Sequence, residues 1–203
     1  MRPVRVALFV GATLLTGPAS WVFAQTATDA YYPFLIARHL EAEGDNQGAQ
    51  QALERAVAAD PRSAEVRAEL AGFFLRRENW DGADRVAREA LAIDDSNSEA
   101  HRVLGMLYAV RSEDRGRTVT PAQVTGFVRQ AIDHLEKVVE NPSGLTDINL
   151  QYTLGRLYLR AGQADKAIAS LSRVVGENPG SVQARVSLAQ AFVGARRLED
   201  AIS

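Results

Sequence analysis

Cysteine is absent from all 203 residues. That excludes a disulfide framework and thiol chemistry, and it leaves no residue to carry a lipid anchor behind an exported leader. Lysine is scarce: of 23 basic residues only Lys137 and Lys166 are lysine. The remainder is arginine, the better bidentate partner for carboxylates, and the bias itself reads as codon composition. No sign of charge dominates, since 25 acidic residues leave a net charge of −2. Nothing in that balance suggests a nucleic-acid partner. Catalytic constellations are missing too. There is no phosphate loop, no nucleophile elbow and no paired HxxxH. His39, His101 and His134 show no metal-ligand spacing, and each is expected on a helix surface. Glu41 with Glu43, and Asp94 with Asp95, read as solvated helix ends rather than acid–base pairs. No catalytic residue, metal ligand or cofactor is assigned, and the chain is not expected to be an enzyme.

The first segment present is a leader. Arg2 and Arg5 make a short basic start, Val6 to Leu15 is apolar, and Val22-Phe23-Ala24 offers a peptidase its small residues. Residues 1–24 are read as a secretory signal peptide cut after Ala24. The apolar run is well short of the roughly 20 residues that span a bilayer, so stable membrane insertion of the mature chain is not expected. Residues 25–29 read as a flexible mature N-terminus. The expected location is the periplasm, with secretion or outer-membrane association as alternatives.

Behind the leader, one pattern recurs every 34 residues, with one longer interval. Ile36-Ala37-x-x-Leu40 is followed by Leu70, Ala71 and Phe74, then by Leu104, Gly105 and Tyr108. Leu154, Gly155 and Tyr158 repeat it, as do Leu188, Ala189 and Phe192. A second pattern alternates with the first: Ala49, Leu53, Ala56 and Pro61; Ala83, Ala87, Ala90 and Asp95; Ala131, Leu135, Val138 and Pro142; Ala167, Leu171, Val174 and Pro179. Both have helical spacing. A small residue lets two helices approach, and a bulky one a turn later fills the remaining space. Gly162 sits where a turn between antiparallel helices needs a permissive backbone.

This period and pattern resemble the tetratricopeptide repeat family. The family often opens its unit with a large aromatic; here that place holds Pro33, Arg67, His101, Gln151 and Arg185. The resemblance implies an all-α, right-handed solenoid of antiparallel helix pairs over residues 30–203. The units are 30–63, 64–97, 98–147, 148–181 and an incomplete 182–203. The third carries an insertion at 110–120, with a charged loop Arg111 to Arg117 and a new helix from Thr120-Pro121 to about Glu140. Its first helix is expected to end near Val110. Ser63 and Ser98 are read as helix caps, and Trp80 as packing on its own hairpin. A second helix of the fifth unit is expected to begin at Glu199.

The function implied is a protein–protein interaction scaffold or adaptor in the bacterial envelope. Two alternatives stand beside it: the N-terminal repeat module of a longer enzyme or export component, and a self-assembling structural repeat protein. First helices line the concave side of such a solenoid. Phe34, Arg38, Arg102, Met106, Tyr152 and Arg156 are the candidate partner-binding residues there. Arginines beside apolar groups suit a protein or peptide with some acidic character. The lysine and asparagine clamp by which some family members grip a peptide C-terminus is not matched. The open C-terminal end is a candidate for self-association.

Overall fold

The computed structural model describes residues 33–113, 119–140 and 147–201. The signal peptide, the flexible N-terminus, most of the charged loop at 111–117 and most of the link at 141–147 lie outside the described residues.

The described residues form helices and turns, without strands. The helices are α1 (33–43), α2 (Asn46–Ala59), α3 (Ala64–Arg76), α4 (Trp80–Ile93), α5 (Ser98–Glu113), α6 (Pro121–Val139), α7 (Ile148–Arg160), α8 (Ala164–Glu177) and α9 (Val182–Gly194). They pack as hairpins, α3 with α4, α5 with α6 and α7 with α8, and each odd-numbered helix from α3 on also meets the hairpin before it. The result is an all-α solenoid of helix pairs.

Small residues set the spacing within each hairpin. A Cβ built on Gly105 would stand 2.3 Å from Leu135 Cδ2, and one on Gly155 would stand 2.5 Å from Leu171 Cγ. Any side chain there would push the helices apart. Leu104, Leu107, Leu135, Leu154 and Leu171 are fully buried in the strip between pairs, each worth about 1.5–3 kcal/mol of transfer free energy. The bulky residues one turn on also join neighbouring units. Tyr108 of α5 donates its hydroxyl to Asp84 of α4 at 2.9 Å, and Tyr158 of α7 donates to Glu136 of α6 at 2.9 Å.

The hairpin turns share one geometry. Gly44 and Gly162 hold φ of +85° and +71°. Their N–H groups, with those of the following residues, bond back to the preceding helix as in a Schellman ending. Glu78 and Arg196, 34 residues after each glycine, adopt φ of 56° and 60° without the freedom of glycine.

Several local expectations are revised. Ser63 caps α3, accepting from Val66 N, and Thr120 forms a full capping box with Gln123. The α5 cap, however, is Asn97, whose Oδ1 accepts from Ala100 N at 2.9 Å; Ser98 is already helical. Helix α5 runs to Glu113, beyond Val110. The next unit holds that extra turn: Arg160 donates to the Ser112 carbonyl and hydroxyl, and Arg156 donates to Glu113. Residues 198–201 are a turn, so the helix expected from Glu199 is not formed in the described residues. Trp80 opens α4, partly buried against the core.

Candidate interaction surface

The candidate residues lie on α1, α5 and α7, two to a helix. Phe34, Met106 and Tyr152 are partly buried and pack their inner edges against the core. Arg38, Arg102 and Arg156 are exposed, yet each already faces a carboxylate of the protein itself. Arg38 Nη1 is 3.7 Å from Glu69. Arg102 donates twice to Glu99, both bonds 2.8 Å. Arg156 donates to Glu113 at 2.9 Å and lies over the Tyr152 ring, 5.8 Å from its centroid.

The strip is therefore a ladder of alternating charge, and sequence reading missed half of it. Glu41 is no solvated helix end: Arg76 grips it with bonds of 2.8 and 2.9 Å. That grip, stronger than the opposing effect of burial, holds the Glu41 carboxyl below its usual value. Glu69 moves the other way, raised by burial first and by the Glu99 charge next. The 35-residue separation of Glu41 and Arg76, almost one repeat, was the signal that could have paired them.

The histidine expectation is overturned for two of the three. His39 is exposed, 3.3 Å from Glu43. His101 is buried and His134 half-buried, with their Nδ1 atoms 2.8 Å apart. Helix α5 carries His101 at the place where the family often has a large aromatic, and α6 brings His134 over it beside Tyr108. Burial, then the neighbouring His101, pushes His134 down to about 4. Among the described residues no group of three histidine, cysteine or acidic side chains could hold a metal ion. No described helix is long and apolar enough to cross a membrane.

At the C-terminal end, α9 exposes Val182, Val186 and Val193. Arg185, Phe192 and Asp200 line a groove of about 530 Å³ beside them.

Comparison with known proteins gives a consistent result. Sequence models of the tetratricopeptide repeat match residues 40–107 and 152–203, together more than half of the chain. The antiviral innate immune response effector IFIT1 of Macaca fascicularis is 25% identical over 160 residues, 74% of this chain and 33% of that protein. The chain spans about a third of the length of the curated relatives it matches. Among solved structures, MamA superposes with a TM-score of 0.65 at 22% identity, covering 88% of this chain and 87% of that one. YrrB, a TPR protein with an unusual peptide-binding site, superposes with a TM-score of 0.67 at 16% identity, covering 90% and 86%.

Proposed function

The chain belongs to the tetratricopeptide repeat family, and from that premise we propose that it is an interaction module, an adaptor or scaffold without a catalytic step of its own. The observation that carries this reading is the strip formed by α1, α3, α5 and α7. Phe34, Met106 and Tyr152 present apolar edges there, separated by charged pairs whose outer faces stay in water. Apolar anchors in a polar rim are the usual anatomy of a protein-binding surface. A structural neighbour described as binding peptide supports a peptide as the class of occupant. An acidic group on the partner would meet Arg156, which donates to Glu113 through Nη2 alone.

Photo-cross-linking tests the surface. A photoreactive residue at Met106 or Tyr152 should yield a partner adduct, while one at Arg129 on α6 should not. Equal labelling from all three positions would refute the concave site.

We further propose export to the bacterial envelope, supported by Arg2, Arg5, the apolar run and Ala24. N-terminal sequencing of protein from cells should begin at Gln25; a mature chain that keeps Met1 would refute export. The exposed valines of α9 favour a second reading, end-to-end self-association. Mass measurement across a dilution series tests it, with concentration-dependent mass expected and a constant monomer mass against it.

A further inference from the structure

The repeat register places Arg38, Gly72, Met106 and Arg156 at one position on α1, α3, α5 and α7. Only α3 lacks a side chain there. The notch this leaves between α3 and α5 is a groove of about 110 Å³. Leu75, Val103 and Met106 are its apolar lining, and Arg76, Glu99 and Arg102 its polar lining. Two charged ends reach into it: Glu99 Oε1 and Arg76 Nη1 each stand 3.3 Å from the place a Gly72 Cβ would take.

The charges around the notch are unevenly committed. Arg76 gives two hydrogen bonds to Glu41, and Arg102 gives two to Glu99. Glu69, one turn before Gly72 on α3, has Arg38 only at 3.7 Å, beyond hydrogen-bond distance. It accepts no hydrogen bond from the described residues. A carboxylate offers about four lone-pair sites, so Glu99 keeps two and Glu69 keeps all of its own. Burial first and the Glu99 charge next raise the Glu69 carboxyl, with Arg38, Arg76 and Arg102 opposing. What Glu69 lacks among the described residues is a hydrogen-bond donor within reach, and a cation on an apolar stem would supply one.

We propose that the notch over Gly72 receives a lysine or arginine side chain from an extended peptide lying in the concave groove. The methylene stem packs on Leu75 and Met106, as long basic side chains do on apolar surface, and the head donates charge-assisted hydrogen bonds to Glu69 and Glu99. This rests on the concave strip being the binding surface. It also changes the chemistry expected there, because the arginines once assigned to a partner's carboxylates are largely taken up by the protein's own.

Random-peptide display on the immobilised protein, on Glu69→Gln and on Gly72→Leu separates the two claims. Glu69→Gln keeps shape and removes charge. Gly72→Leu fills the notch, where the new Cβ meets Val103 and the movable ends of Arg76 and Glu99; circular dichroism confirms that both variants fold. The wild-type selection should enrich a basic residue at one fixed position. Binding of those peptides should weaken about tenfold or more in Glu69→Gln and be lost in Gly72→Leu. Peptides that depend on the open notch but carry no basic residue would overturn the proposal and leave the groove reading standing. Peptides indifferent to Gly72→Leu, or no enrichment at all, would overturn both.

Discussion

His101 and His134 meet Nδ1 to Nδ1 at 2.8 Å across the α5–α6 hairpin, and one nearby carbonyl sets which nitrogen carries the proton. His101 Nε2 lies 2.9 Å from the Asp95 carbonyl. A carbonyl only accepts, so His101 carries its proton on Nε2 and its Nδ1 accepts from His134. The pair is built for two neutral rings, since two cations would set donor against donor.

Stability should therefore fall with mild acid. Burial lowers both histidines, His134 to about 4. Lys137 lowers both further, and Arg88 lowers His134. Asp133 opposes for His134, while Asp94, Asp95 and the Asp95 carbonyl oppose for His101. A folded value below the unfolded 6.5 means the unfolded chain binds the proton more readily. The stability of the neutral pair is thus full above pH 6.5 and lost as pH falls toward 4. Urea midpoints at pH 7 and pH 5 should differ, by up to about 1–2 kcal/mol once partial exposure is discounted. His134→Asn, which keeps a donor near Nδ1, should remove much of that difference; an unchanged pH slope would count against the pair.

Gly155 gives a sharper packing test. Even alanine there places Cβ 2.5 Å from Leu171 Cγ. Gly155→Ala should lower stability by about 1–3 kcal/mol through overpacking, against a helix propensity gain of about 1 kcal/mol; Gly155→Leu should be worse. Adding Leu171→Ala should cost less in the Gly155→Ala background than in wild type. Additive effects in this double-mutant cycle would show that the two residues do not share the interface.

Turn strain makes an opposite prediction. Glu78 holds the left-handed conformation that Gly44 and Gly162 hold at equivalent positions. A non-glycine residue there costs about 1–2 kcal/mol, partly offset by glycine's greater freedom in the unfolded chain. Glu78→Gly should raise stability by about 0.5 kcal/mol, and Gly162→Ala should lower it by about 1 kcal/mol. If both changes shift the urea midpoint in the same direction, the turn account is wrong.

What could be read from sequence was whatever depends on near neighbours or on the period. The 34-residue register located the helix pairs, because Leu104-Gly105 and Leu154-Gly155 carry their packing rule locally. Ser63 and Thr120 were legible as caps because a cap acts within three residues. Asn97 was missed because two polar residues compete beside one helix start, and sequence does not say which is outside the first turn. The ladder of Glu41, Glu69, Glu99 and Glu113 with its arginines depends on contacts between helices, most of them 31 to 43 residues apart. Arg38, Arg102 and Arg156 were visible as a stripe, but the partners of Arg38 and Arg156, which lie on other helices, were not. His101 and His134 became a pair only when α6 folded back over α5.

Helix α9 supplies the last prediction. Helix α7 packs against α8, and its Leu154 and Leu157 are buried. The corresponding face of α9 carries Leu188 and Phe192 only partly buried, with Val186 and Val193 exposed. Beyond it, the described residues provide only the turn at 198–201, steadied by Arg197 against Asp200 at 2.7 Å and by the Arg197 guanidinium over Phe192. One exposed ion pair of that kind contributes well under 1 kcal/mol, whereas burying each large apolar side chain would contribute about 1.5–3 kcal/mol. In a chain of these 203 residues, local opening should thus be easiest at this end. In a verified monomer, amides from Val186 to Val193 should exchange at least about tenfold faster than those from Leu154 to Leu159. At concentrations where the mass rises, the same amides should slow, because a second molecule then covers the face. Equal protection of α7 and α9 in the monomer would mean that the turn already closes the end, and the case for association through α9 would fail.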